Sequence, residues 1–322
     1  MLKNLRVVAE GLRFPEGPVA LPGGDVLVVE MERGTLTRVT PAGDKIVVAR
    51  PGGAPNSAAI GPDGRVYLAQ SGGFRFHQPK PGLLVPGFQP KDYIGGRIQA
   101  VDLDTGAVDD LYTECNGNPL SGPNDLVFDA DGGMWFTDHG KLRRRDSDHG
   151  GIYYARADGS FIREVLYPVN CPNGIGLSPD GSQLVFAETQ RARLYRFRVT
   201  APGDIDSADY ASLVPKSSWH LAGALTTPAL LDSLAVDAAG HVLVGTLIWD
   251  PGLTEFNLDD GSIEHHVLPG ELWDPFVTNV CFGGPDLRTA YITSSGYGRL
   301  LAGDWHTPGL ELNYGLKREV SA

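Results

Sequence analysis

The chain repeats itself, and the repeat constrains the fold more than any other feature. Six segments share one pattern: a polar residue, a short apolar run, a tight turn and a second apolar run. They begin at Glu16 (EGPVALPGGDVLVVE), Asn56 (NSAAIGPDGRVYLAQ), Asn124 (NDLVFDADGGMWFTD), Asn173 (NGIGLSPDGSQLVFAET), Asp232 (DSLAVDAAGHVLVGT) and Asn279 (NVCFGGPDLRTAYITS). Seven residues after each leading residue stands a turn residue: Gly23, Asp63, Asp131, Asp180, Ala239 and Asp286. Asp-Gly or Gly-Gly between two β-rich runs reads as a hairpin, because glycine reaches positive φ without a Cβ clash. The leading residues are 40, 68, 49, 59 and 47 apart, room for one four-stranded antiparallel sheet per repeat. Sheets set radially cover each other's faces and protect their edges by repetition. The pattern therefore predicts an all-β, six-bladed β-propeller with four-stranded antiparallel blades, spanning residues 1–322 as a single domain. A terminal strand, LRVVAEG or GLELNY, is expected to close the ring. Helical periodicity is weak, its best stretch being Thr226–Leu231, which Pro228 interrupts.

Composition agrees. The 322 residues include 42 Gly and 24 Pro, which interrupt helices at about 1 and 3 kcal/mol each, so a helix bundle is a poor fit. At 42% hydrophobic the chain is too apolar for disorder. Net charge is 27 − 39 = −12, the wrong sign for a nucleic-acid partner. Cys115, Cys171 and Cys281 are too few and scattered for a disulfide framework and read as free thiols in a reducing compartment. No apolar h-region or 18-residue apolar run is present, so the expectation is a cytoplasmic protein with no membrane partner.

Geometry turns the pattern into chemistry. If each first strand lines the central channel, its opening residue lies at the same end in every blade. Two carboxylates, Glu16 and Asp232, then converge with four amides, Asn56, Asn124, Asn173 and Asn279. Asn alone caps turns well, which explains one such residue but not six in register. Hard oxygen donors without histidine suit calcium or magnesium.

These motifs resemble the gluconolactonase, regucalcin (senescence marker protein) and luciferin-regenerating-enzyme family of six-bladed propellers. The resemblance is carried by FPEGP, GPNDLVFDADGGMWFTD, CPNGIGLSPDG and PALLDSLAVDAAGHVLVGT, and it covers nearly the whole chain. It implies one divalent ion, most simply Ca2+ with Mg2+, Mn2+, Zn2+ or Fe2+ as the other choices, held by Glu16, Asn173 and Asp232. It also implies that Asn124 sits beside the ion and contacts the ligand or completes the coordination. Sugar-lactone members often carry Arg two residues before that Asn, where this chain has Gly122, and many have Gly after the fifth-blade Asp, where it has Ser233.

The function expected from this is a metal-dependent lactonase acting on a small sugar lactone or related cyclic ester, with Asp232 and Asn124 catalytic. Two alternatives share the site: hydrolysis of another ester class such as an organophosphate triester, and a non-catalytic calcium- or ligand-binding propeller. Asn56 is expected to orient substrate. The insertion from Ser71 to Gly96, with His77 and Tyr93, is expected to form a lid, because loops after second strands share the face of the leading residues. His139, Trp249 and Tyr297 fall in equivalent loops and are further substrate-facing candidates. Arg143-Arg144-Arg145 reads as a solvated loop. Cys171 reads as buried rather than nucleophilic, and His265-His266 as strand residues without a companion at metal-ligand spacing. G-x-S-x-G, H-E-x-x-H and Walker A motifs do not occur, and the sequence says nothing of oligomeric state.

Overall fold

The computed structural model describes residues 2–210 and 218–316. Six antiparallel sheets form six blades, each beginning with one repeat segment. Their first strands are Pro15–Ala20, Pro55–Ile60, Pro123–Phe128, Pro172–Leu177, Leu230–Val236 and Val277–Gly283. Each first strand packs against the next, and the sixth packs against the first, so the six surround one axis. Blade 6 takes its outer strand from the other end of the chain. Lys3–Ala9 pairs with Arg299–Asp304, so LRVVAEG closes the ring. GLELNY is not a strand; it crosses the turn end of the axis, where Leu310 N–H donates to Val236 O and Asn313 Nδ2 to Phe128 O. The outer edge of Arg299–Asp304 is already taken by Lys3–Ala9.

The second strands show why the sequence makes blades. Both faces of each are buried, so their residues are apolar without polar alternation. Met134 and Phe136 pack toward blade 2 with Tyr67 and Ile98, while the intervening Trp135 packs toward blade 4 with Phe186 and Phe197. Each such core side chain contributes about 1.5–3 kcal/mol through burial. The predicted turn residues all sit in the hairpins linking first to second strands. Among the described residues the helical elements are two short 3-10 turns, Pro22–Gly24 and Gly270–Leu272. The stretch before Leu230 is irregular, not helical, and Pro228 denies it a helical N–H. No helix of the described residues is long and apolar enough to cross a membrane.

The 71–96 insertion contains its own hairpin, Phe76–Lys80 with Leu83–Pro86. It leaves blade 2, crosses blade 1 and reaches blade 6. Phe76 packs at a tilt against Phe14, ring centroids 5.4 Å apart, Leu84 N–H donates to Gly296 O at 2.8 Å, and Lys80 lies over the rings of Trp273 and Tyr297.

Candidate active site at the channel axis

In all six blades the pairing between first and second strands shifts register at the leading residue. The shifts lie at Glu16/Val19, Pro55/Ser57, Pro123/Leu126, Pro172/Ile175, Leu231/Leu234 and Val277/Asn279. A register shift re-aims a side chain out of the alternating pleat, and here it recurs at each of the six ring positions. Glycine follows two of them because the first strands touch. A Cβ on Gly17 would lie 2.6 Å from Ser57 Cα, and one on Gly174 would lie 2.5 Å from Leu234 N. The residues entering these two strands, Phe14 (φ 55°) and Cys171 (φ 46°), hold left-handed backbone, a costly conformation for a side-chain-bearing residue. Cys171 is buried, and burial pushes its thiol pKa up, as suits an inert core residue.

A second set of residues, missed from the sequence, fixes these entries. The last residue of the second strand bonds the backbone just ahead of its own blade's first strand. Glu30 accepts from Arg13 N–H (2.8 Å), Gln70 from Ala54 N–H (2.7 Å), Asp138 from Ser121 N–H (2.7 Å) and Glu188 from Asn170 N–H (3.1 Å). The signal was present, since the repeat segments end VVE, LAQ, FTD and FAE.

Glu16, Asn56, Asn124, Asn173, Asp232 and Asn279 are all buried. Asn173 is oriented from two sides: Nδ2 donates to Thr189 Oγ1 at 3.1 Å, and Oδ1 accepts from Ser233 Oγ at 3.3 Å. Ser233 thus braces the amide. Asn279 Oδ1 accepts from its neighbour Val280 N–H at 2.7 Å, whereas the buried Asn124 Oδ1 has no hydrogen-bond partner. Desolvation pushes the Glu16 carboxyl well up, and the nearby Asp232 charge pushes it further, against hydrogen bonds from Thr278, Gly17 and Asn279. Desolvation also lifts Asp232, to about 7.

Asp125, one residue past Asn124, is a third axial carboxylate that the sequence reading missed. Ser57 Oγ donates to it at 2.6 Å, Leu126 N–H at 2.9 Å and Ile175 N–H at 3.4 Å, so it ties blades 2, 3 and 4 together. Burial lifts it to about 6. Among the described residues none of the three carboxylates forms an ion pair. Buried carboxylates without a counter-charge are costly, and an unpartnered amide oxygen beside them adds to the deficit. Both deficits are met by a hard cation, so this donor set fits the divalent ion that the family implies.

The other predicted residues are arranged around this ring unequally. His139 follows Asp138 and is half-buried, and desolvation lowers its pKa to about 4. Tyr93 is committed to the scaffold, donating to Ser121 O and accepting from Gly96 N–H. His77 lies on the exposed side of the lid hairpin, and Trp249 is 63% exposed at the rim. Beneath the insertion lies an unforeseen residue, Lys141, only 2% exposed. Its Nζ donates to Ser71 O (3.0 Å) and Gly73 O (2.7 Å) and sits 3.7 Å from the Phe74 ring centroid. Its side chain and Gly140 O also fill the space in front of Gly122, where an added Cβ would come within 2.8 Å of that oxygen. A side chain at this position would have to displace them. Arg143 is paired with Asp146 and Asp148 rather than free in solvent. A cavity of about 2660 Å3 opens at the opposite end, and Gly17, Ser57, Asp125 and Asn279 line it where it backs onto the ring.

Fold and ring together define a six-bladed propeller with an oxygen-rich axial site. The SMP-30/Gluconolactonase/LRE-like region matches residues 14–296, and the chain belongs to that family. It is 29% identical over 174 residues to pentonolactonase XacC of Haloferax volcanii, covering 54% of this chain and 53% of that protein. It is 25% identical to the gluconolactonase of Zymomonas mobilis over 90% of this chain and 79% of that protein. Lactonase drp35 of Staphylococcus epidermidis is 26% identical over 64% of this chain and 55% of its own length. The chain thus spans about half the length of two of these three relatives. Its fold matches a gluconolactonase from Xanthomonas campestris (TM-score 0.70, 19% identity, 94% and 89% of the two chains). It also matches the calcium-binding regucalcin of Agrobacterium tumefaciens (TM-score 0.66, 18% identity, 96% and 98%).

Proposed function

We propose that the protein is a cytoplasmic, metal-dependent lactonase, the whole chain acting as one propeller on a small sugar lactone or related cyclic ester. The observation that carries this is the axial cluster: Glu16 and Asp232 buried without a counter-charge beside the unpartnered Asn124 Oδ1. Glu16, Asn173 and Asp232 would hold a divalent ion, most simply calcium, which when bound polarises an ester carbonyl and acidifies water. The chain's own groups do the rest. Asp232 accepts the proton as water adds to the carbonyl carbon. The ring C–O bond then breaks, and its oxygen takes the proton to leave a hydroxy acid. Asn124 and Asn56 orient the ester by hydrogen bonds, Asn124 acting on the developing oxyanion. His139, neutral at physiological pH, bonds substrate as an uncharged imidazole. The Ser71–Gly96 lid, with His77, Tyr93 and the rim residue Trp249, limits which rings enter. The lactonase names of three relatives and the free state of Cys115, Cys171 and Cys281 support the activity and the compartment respectively. A lactone panel read by acid release, before and after chelation and with each divalent metal restored, tests this. Turnover that survives complete chelation removes the metal role, and no turnover on any lactone removes the activity.

A further inference from the structure

Folding gives His266 the companions that it lacks along the sequence. Between blades 5 and 6, at the turn end, His241, Glu255, His266 and His306 meet. His241 lies in the first hairpin of blade 5, Glu255 on the strand Gly252–Phe256, His266 on Ile263–Val267, and His306 just past Arg299–Asp304 of blade 6. Glu255 Oε1 lies 2.8 Å from His241 Nδ1 and 3.5 Å from His306 Nε2, and the three ligand atoms all fall within 4.8 Å of one another. A tetrahedral zinc with ligands at about 2.0–2.1 Å sets its donors about 3.3 Å apart. The two Glu255–imidazole separations, 2.8 and 3.5 Å, bracket that spacing.

Its supports are those of a metal site. Glu255 is buried, and its second oxygen lies 3.1 Å from His266 Nε2, which leaves Oε1 to the two other imidazoles. His266 is in turn held edge-on against Trp305 at 4.9 Å. Such outer partners fix ligand orientation. A separate observation points to a missing cation. Asp237 is 0% exposed; its Oδ1 accepts from Ala239 N–H and His241 N–H, but its Oδ2 has no hydrogen-bond partner and lies 3.4 Å from His241 Nδ1. His241 Nδ1 likewise makes no well-formed hydrogen bond. His306 is 40% exposed along its side chain, which gives an ion a way in.

We propose a second metal site, formed by His241, Glu255 and His306, that takes a zinc-class transition ion and staples blade 5 to blade 6. Two imidazoles and one carboxylate select borderline metals such as zinc or cobalt over calcium. The axial ring, with oxygen donors only, has the reverse preference. Asp232 lies on the strand Leu230–Val236 and Asp237 one residue past its end, five residues on and up to roughly 17 Å away along an extended chain, so the sites are separate.

The test is zinc binding to the full chain held in saturating calcium, measured by equilibrium dialysis with metal analysis, together with thermal unfolding. The expected result is one zinc per chain and a higher Tm with zinc. His306→Gln, at an exposed position, should weaken zinc binding at least tenfold and abolish the Tm rise, without changing calcium-supported lactone turnover. Asp232→Ala should still bind one zinc, which separates this site from the axial one. Cobalt in place of zinc should give a visible absorption spectrum that Glu255→Gln alters. Zinc binding unchanged in both His306→Gln and Glu255→Gln, or no zinc retained at micromolar free zinc, would reduce the cluster to a hydrogen-bonded His–Glu network and overturn the proposal.

Discussion

Asp180 and Asp232 come from the same repeat pattern and sit at opposite ends of neighbouring blades, yet their physics is reversed. Asp180, in a hairpin turn, is exposed and accepts from Ser178 Oγ, Ser182 N–H and Ser182 Oγ, which lowers it to about 2. Asp63 and Asp286 cap their own turns similarly, accepting from Arg65 N–H and Arg288 N–H. Asp232 is buried at the axis and lifted to about 7. In the hairpin turns, Asp63, Asp180 and Asp286 are satisfied by the local chain. At the axial end the carboxylates accept hydrogen bonds but face no counter-charge, a deficit of the kind a cation would relieve.

The sharpest way to break this contrast is Asp232→Ala. It should abolish stoichiometric axial metal binding and lower kcat/KM at least about a thousandfold while the fold persists. Metal analysis after dialysis, with lactone kinetics, checks both. Asn124→Ala comes next. As a neutral group on the substrate it should cost about ten- to a thousandfold in kcat/KM with the metal retained. As a mere turn cap it would cost about 1 kcal/mol of stability and leave specific activity alone. Kinetics and thermal unfolding on one preparation decide between the two.

Lys141 sharpens the contrast through pH. Burial lowers its pKa to about 7, against about 10.4 for an unfolded lysine. Between those values the unfolded chain binds the extra proton, so stability gained from this residue rises with pH. The Tm of wild type relative to Lys141→Met should therefore climb from about pH 7 toward about pH 10, and a flat difference would contradict the assignment. The smallest effect belongs to Asp180→Ala: a Tm drop of about a few degrees and unchanged kcat/KM, measured side by side with wild type.

The blades were legible because each turn announces itself locally, as Pro62-Asp63-Gly64 and Pro179-Asp180-Gly181 do. The ring was legible because Glu16, Asn56, Asn124, Asn173, Asp232 and Asn279 share a register that a radial fold converts into proximity. Asp125 escaped notice because it lies next to a ring residue, and the register shift, not the alternating pleat, decides where it points. Lys141 stood among loop charges, and nothing local to it foretells that Ser71 and Gly73, some 70 positions away in the chain, will bury it. The His241–Glu255–His306 cluster was invisible for the same reason, being assembled across two blades. Local chemistry is written locally; chemistry made by closing a ring is not.

The most direct test of the axial account is a calcium titration of chelated protein in which bound metal and lactone turnover are followed together. The account predicts that activity rises in proportion to one axial calcium per chain, and that Glu16→Gln loses both in parallel. Full turnover in metal-free protein, or a Glu16→Gln variant that binds and hydrolyses as wild type does, would contradict it.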